Sequence, residues 1–172
     1  ISSFSLPMDA PQMAAYIGGG NTSAGVGYTY DMKKKTSTLL ANPMAEKLGN
    51  VQFGEMSEWS FTAQNGTLIK GMKCLPPDFD AKKKYPLIVS YYGGTTPTVR
   101  GISSPYCAQL FAAYGYVVYV IQPSGAIGFG QEFSARHVNA WGDWTADEII
   151  EGTRRFCEEH SFVDSKKIGC IG

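Results

Sequence analysis

The stretch "VDSKKIGCIG" (163–172) decides how the chain folds. A charged lead-in gives way to Ile168, Cys170 and Ile171, closed by glycine, which is the pattern of a short buried β-strand over 167–171. In an open α/β sheet, chemistry collects just outside the carboxyl ends of the strands, where loops meet helix N-termini. The expectation is a strand that delivers the chain to Gly172 at the edge of an active site, with the site itself continuing past the sequence.

Two similar runs lie upstream. "LIVSYY" (87–92) and "YVVYVI" (116–121) are continuous apolar stretches of the kind buried on both faces of a sheet. Each leads into a glycine-rich loop, "GGTTP" (93–97) and "QPSGAIGFG" (122–130). A helix is expected from Ser104 as N-cap, with Pro105 at the first helical position and Gly115 as the stop. A second is expected over "TADEIIEGTRRFCEEH" (145–160). There Thr145 and Glu148 have capping-box spacing, Ile149, Thr153 and Phe156 share one stripe, and Glu151 and Arg155 pair at i,i+4.

Asn65-Gly66, flanked by strand patterns over 57–63 and 67–75, predicts an antiparallel hairpin closed by a type I′ turn. The fold class is α/β: an antiparallel hairpin, then a mostly parallel sheet. Residues before 45 differ, with a further hairpin over 26–30 and 36–40. Because an isolated two-stranded hairpin is marginal in water, this one is expected to lean on a partner outside the chain.

Composition excludes several classes. The 172 residues are 44% hydrophobic and 17% charged, and fifteen Lys and Arg balance fifteen Asp and Glu, so no global field favours nucleic acid or an anionic membrane. No apolar run approaches the roughly 20 residues that span a bilayer, and no targeting segment is visible. The compartment stays open, with a lean toward a soluble, periplasmic or extracytoplasmic protein. Cys74, Cys107, Cys157 and Cys170 are widely spaced without a C-x-x-C pair, which argues against zinc or a disulfide framework and for small thiols filling the core.

Two mechanisms use glycine-rich strand ends. A dinucleotide fold needs G-x-G-x-x-G directly after its first strand, whereas "GAIGFG" (125–130) has G-x-x-G-x-G after a middle strand. An α/β-hydrolase instead runs a strand into a G-x-S-x-G nucleophile elbow, and Gly172 can be its first glycine, with the serine itself absent. Any one such loop is also compatible with a tight βα turn and no ligand. His137 reads as a surface loop residue that could line the cleft, and His160 as a solvated cation at a helix end. Ser103, Ser104, Ser124 and Ser134 lack an elbow context, so no triad is complete.

The stretches "NGTLIKGMKCLPPDFDAKKKYP" (65–86), "PLIVSYYGG" (86–94), "YGYVVYVIQPSGAIGFGQEF" (114–133), "WGDWTADEIIEGTRRF" (141–156) and "VDSKKIGCIG" resemble the catalytic domain of the prolyl oligopeptidase family of serine peptidases. The dipeptidyl peptidase IV and acylaminoacyl peptidase branches are most similar. The resemblance implies that 1–50 are the last strands of a β-propeller and 51–172 the N-terminal half of an α/β-hydrolase domain. It places the nucleophilic serine two positions beyond Gly172 and the triad Asp and His further on. Tyr92 matches the tyrosine whose hydroxyl donates to the oxyanion, and Gly93 and Gly94 are candidate backbone contacts to substrate.

The 122–130 loop matches a family pattern of Asn-Pro-Arg-Gly, two residues, Gly-Tyr-Gly, with Gln122 for Asn, Ser124 for Arg and Phe129 for Tyr. The missing arginine removes a cation from a buried network. Trp141-Gly142 and Asp147 match positions read as structural. The implied activity is hydrolysis of short peptides through an acyl-enzyme, with a peptide substrate as partner, no metal or organic cofactor, and room for a homodimer of the full-length protein. A carboxylesterase, or a non-catalytic interaction domain on a degenerate hydrolase fold, are the alternatives.

Overall fold

A computed structural model describes residues 1, 3–98, 101–102 and 104–172; Ser103 lies outside the described residues. The chain forms two compact units, Ile1–Gln52 with Arg100–Cys107, and Phe53–Val99 with Ala108–Gly172.

The first unit is a four-stranded antiparallel meander of β1 (Ser3–Ser5), β2 (Met13–Gly18), β3 (Val26–Asp31) and β4 (Thr36–Ala41), followed by the single turn α1 (Ala45–Leu48). The β3–β4 hairpin stands where the sequence placed it. Its turn is held by Asp31, whose Oδ1 accepts the amides of Lys33 (2.9 Å) and Lys34 (3.0 Å). The partner expected from outside is supplied by the chain itself, because β2 pairs along the whole of β3. Tyr16 of β2 stacks on Tyr28 of β3 with ring centroids 5.1 Å apart, and its hydroxyl donates to Ser37 Oγ at 2.9 Å.

The second unit carries β5 (Met56–Thr62), β6 (Leu68–Cys74), β7 (Tyr85–Ser90), α2 (Ala108–Ala113), β8 (Val117–Gln122), α3 (Gln131–Ser134), a 3-10 turn (Ala135–His137), α4 (Thr145–Glu159) and β9 (Val163–Ile171). The sheet order is β5-β6-β8-β7-β9. The β5–β6 and β6–β8 pairs are antiparallel, and the β7–β8 and β7–β9 pairs are parallel. The sheet is thus evenly mixed rather than mostly parallel.

The period-2 alternation of β8 explains its unbroken apolar sequence. Val117, Tyr119 and Ile121 join Phe61, Leu87, Val89 and Phe156 of α4 on one face, while Val118 and Val120 join Cys74, Ala108 and Ala112 of α2 on the other. Trp59 anchors the first cluster, with its ring edge-on to Tyr119 (5.1 Å) and Phe156 (5.2 Å) and its Nε1 donating to Glu159 at 2.9 Å. The Tyr119 hydroxyl is buried without a hydrogen-bond partner, and burial pushes the phenol pKa up. An unsatisfied buried hydroxyl carries a desolvation cost, so Tyr119→Phe is expected to stabilise the protein by about 1 kcal/mol, read as a raised urea midpoint with an unchanged m-value.

Four local expectations are corrected. The 63–67 turn is not type I′: Gly66 is at φ +81° but Asn65 keeps negative φ, and Gly66 N–H bonds Ala63 C=O while Ala63 N–H bonds Thr67 C=O, each at 2.8 Å. That is a three-residue loop of the bulged kind, with Asn65 Oδ1 accepting the Thr67 amide at 2.9 Å. The helix after Ser104 begins only at Ala108, because 104–107 form a turn closed by Cys107 N–H on Ser104 C=O. Its Gly115 stop stands, with Gly115 N–H on Ala112 C=O and Tyr116 N–H on Phe111 C=O.

The Thr145/Glu148 capping box does not form, since α4 has no side-chain cap and Glu148 turns elsewhere. Finally, the terminal strand is not buried. β9 starts four residues early, at Val163, and is the outermost strand of the described sheet, so Ile168 is 44% exposed and Cys170 is exposed rather than core filler. Cys74 and Cys107 are buried as expected.

A buried glutamine from α2 ties the unit together. Gln109 Oε1 accepts the Gly54 amide at 2.8 Å and its Nε2 donates to the Gly54 carbonyl at 2.9 Å, so one side chain satisfies both backbone groups of one residue. Among the described residues, no helix is long and apolar enough to cross a membrane.

Candidate active site at the carboxyl ends of the parallel strands

The ends of β7, β8 and β9 lie side by side. The β7–β9 ladder runs to Ser90 opposite Ile171 and continues one step further, with Tyr91 N–H donating to Ile171 C=O at 3.0 Å. Gly172 therefore lies against Tyr91: a Cβ added there would stand 2.9 Å from the Tyr91 carbonyl oxygen and 3.0 Å from its ring. Tyr91 packs its ring on the core, while Tyr92, the next residue, is 49% exposed. The Tyr92 ring crosses Gly94, where a Cβ would meet it at 2.7 Å. A Cβ at Gly93 would meet nothing within 4 Å. Tyr92 and Gly94 are thus in contact, and Gly172 reaches this group through Tyr91.

The loop after β8 is held by a buried polar network that the sequence did not reveal. Glu148 of α4 is 1% exposed. Its carboxylate accepts the Ser124 amide (2.7 Å), the Ser124 hydroxyl (2.7 Å) and the Asn65 side-chain amide (3.1 Å). Arg136, from the 3-10 turn, donates to Ser124 Oγ at 3.1 Å and to Thr67 Oγ1, and lies 3.9 Å from Glu148. Its guanidinium also sits 5.5 Å from the Trp144 ring centroid. Arg136 is thus the cation of this network, joined to Glu148 through the Ser124 hydroxyl. Asp147 occupies the first turn of α4, as expected.

Neither histidine is a surface residue. His137 is buried, stacked on Trp141 with centroids 4.6 Å apart, and its Nε2 has no hydrogen-bond partner. His160 is buried too, stacked on Phe156 at 4.2 Å and flanked by Trp59 and Phe162. Its Nδ1 lies 2.9 Å from the Phe156 carbonyl and its Nε2 3.2 Å from Lys73 Nζ. The consistent tautomer is neutral, with Nδ1–H donating to the carbonyl and Nε2 accepting from the lysine ammonium. His160 precedes β9, whose first residue pairs with the first of β7, so it stands at the opposite end of the strands from the candidate site.

Burial, more than the neighbouring Lys73 charge, holds the His160 imidazole below its ordinary pKa. The unfolded chain therefore takes up this proton first, at an ordinary pKa of about 6.5, and stability falls as pH drops below that value toward the folded-state pKa. His160→Gln is expected to flatten this acid-side slope in urea titrations between neutral and mildly acidic pH; an unchanged slope rules the assignment out. Among the described residues, no group of three or more His, Cys, Asp or Glu is arranged to hold a metal ion.

Comparison with known proteins follows this geometry. Residues 103–172 match the sequence profile of the Prolyl oligopeptidase family. Probable dipeptidyl-peptidase 5 of Aspergillus terreus is 30% identical over 142 residues, covering 81% of this chain and 20% of that protein. Dipeptidyl-peptidase 5 of Schizosaccharomyces pombe is 27% identical over 144 residues, covering 83% of this chain and 21% of that protein. Among solved structures, Pyrococcus horikoshii acylaminoacyl peptidase superposes with a TM-score of 0.83 at 21% identity, over 99% of this chain and 26% of that one. Porphyromonas gingivalis dipeptidyl peptidase 4 gives a TM-score of 0.78 at 18% identity, over 93% of this chain and 23% of that one. The two structures share the fold, and the chain spans about a fifth of the length of the curated relatives it matches.

Proposed function

Because this chain belongs to the prolyl oligopeptidase family, we propose that its parent protein is a serine peptidase that hydrolyses short peptides through an acyl-enzyme. In this reading residues 51–172 are the N-terminal half of an α/β-hydrolase domain and residues 1–50 the last strands of a β-propeller. Gly172 opens the nucleophile elbow, and the serine follows two positions on. A histidine takes the serine proton as Oγ attacks the scissile carbonyl, and returns it to the departing amine; water then hydrolyses the ester by the same route. The Tyr92 hydroxyl and the N–H following the serine donate hydrogen bonds to the oxyanion, while Gly93 and Gly94 let substrate approach the backbone.

The observation that supports this most directly is the adjacency of β7 and β9. Tyr91 N–H on Ile171 C=O makes Tyr92 and Gly172 leave the sheet at neighbouring points. A nucleophile and an oxyanion donor must serve one carbonyl group, and adjacent parallel strand ends meet that need.

The test is reaction of the full-length protein with a fluorophosphonate probe, followed by peptide mapping. A single adduct on a serine two residues past Gly172 is expected, and a folded protein that takes no adduct overturns the reading. Tyr92→Phe removes one oxyanion donor and is expected to lower kcat about 100-fold, the loss typical of such a donor, with the urea midpoint unchanged.

A further inference from the structure

The segment 93–98 has no regular secondary structure, yet it is pinned at both ends. At its start the Tyr92 ring lies over Gly94. At its end stands Gln122, the last residue of β8 and fully buried. Gln122 Oε1 accepts the Thr98 amide at 2.9 Å, and its Nε2 reaches the Thr98 carbonyl at 3.4 Å. The Thr98 hydroxyl in turn reaches the Ile121 carbonyl at 3.4 Å. Between these points Ile127, from the loop after β8, donates its amide to the Thr95 carbonyl at 2.8 Å.

A buried primary amide that pairs both the N–H and the C=O of one residue acts as a strand partner where no strand is available. Gln109 does the same for Gly54. Without Gln122 the partly buried Thr98 amide has no partner, and the segment is held by the Ile127 amide on Thr95 and the Thr98 hydroxyl on Ile121 alone.

We infer that Gln122 is a positioning residue for Tyr92: by clamping Thr98 it fixes the 93–98 segment against which the Tyr92 ring is held, and so sets where the phenol hydroxyl stands. The inference rests on the reading of Tyr92 as an oxyanion donor. Misplacing a group by about 1 Å costs up to about 100-fold in rate, so a side chain that never touches substrate has a measurable effect.

The test uses the full-length protein with Gln122→Met, which keeps length and volume but cannot pair with Thr98. Hydrogen exchange of peptides covering 93–98 is expected to quicken about tenfold, while peptides within β8 keep their protection. Turnover is expected to fall about tenfold in kcat with KM unchanged, and Gln122→Met combined with Tyr92→Phe is expected to lose no more than Tyr92→Phe alone. Gln122→Glu, which still accepts the Thr98 amide but opposes its carbonyl, gives an intermediate exchange rate and carries the test if the methionine variant fails to fold. Unchanged exchange overturns the clamp, and additive losses in kcat overturn the route through Tyr92. Faster exchange together with a fully active Tyr92→Phe removes the role of Tyr92 and with it this inference, while a serine adduct in the labelling experiment leaves the peptidase reading standing.

Discussion

Glu148→Ala is expected to destabilise the protein by about 4 kcal/mol, the cost of breaking a buried charged network by removing one partner. The carboxylate is the hub of four elements: it accepts two hydrogen bonds from Ser124 after β8 and one from Asn65 in the β5–β6 turn, and it stands beside Arg136. Alanine leaves the buried Ser124 amide and hydroxyl without their acceptor and puts a guanidinium beside an empty site. Each orphaned donor costs about 1–3 kcal/mol, and the surrounding loops have only weak regular structure with which to adjust.

Glu148→Gln separates charge from shape. It keeps one oxygen to accept from Ser124 but turns an NH₂ toward a second donor, so about half the loss is expected. Arg136→Met is expected to cost less than either, because the arginine side chain is one-third exposed and its charge is partly solvated. The measurement is the urea midpoint of each variant in the full-length protein. A Glu148→Ala loss below about 1 kcal/mol, well under the buried-pair range, shows that Arg136 and water rearrange to serve Ser124 and that the network is not a structural hub.

The parts of this fold legible in the sequence are those whose signal is local. "LIVSYY" and "YVVYVI" mark the strands Tyr85–Ser90 and Val117–Gln122 to within two residues, because burial on both faces needs an unbroken apolar run, and α4 is a helix because its 3.6-residue stripe ends on Phe156. Gly172 is marked by its place just after a strand and Tyr92, Gly93 and Gly94 by the family resemblance; in the structure the Tyr92 ring crosses Gly94 and Gly172 lies against Tyr91. What the sequence hid depends on residues far apart along the chain. His160 read as solvated because Lys73, 87 residues away, and the Trp59 ring are invisible locally. Glu148 fitted a capping box, yet its partners are 24 and 83 residues upstream. The type of the Asn65-Gly66 turn is hidden for the same reason: Asn65 spends its side chain on Thr67 and Glu148, which suits a bulged loop rather than a symmetric two-residue one. β2 carries little local signal because "MAAYIG" has no period-2 alternation, and pairing with β3 supplies what propensity does not.

Gly125→Ala is expected to cost about 3–4 kcal/mol, from two separable sources. Gly125 sits at φ +98°, outside the regions open to residues with a side chain, and holding alanine there costs about 1–3 kcal/mol. The backbone cannot easily turn to relieve this, because Gly125 N–H donates to Phe133 C=O at 2.9 Å. The second source is steric: the new methyl group falls 1.9 Å from His137 Cδ2 and 2.2 Å from Nε2. The ring must leave its stack on Trp141 or the loop must shift.

His137→Ala alone removes the stack but also an unpartnered buried nitrogen, so its own cost is expected to be about 1–2 kcal/mol, near the low end for a buried aromatic contact. In the double variant only the backbone strain is added to that, and the combined loss is expected to be smaller than the sum of the two singles by at least 1 kcal/mol, beyond the scatter of independent sites. Strict additivity means that ring and glycine do not compete for the same space. The same variants link stability to the site. Gly125 lies between Gln122 and Ile127, the two residues that hold 93–98, so a shift of this loop moves both anchors together. Gly125→Ala is therefore expected to quicken hydrogen exchange over 93–98 as Gln122→Met does, whereas Tyr119→Phe, which changes the core alone, leaves it untouched.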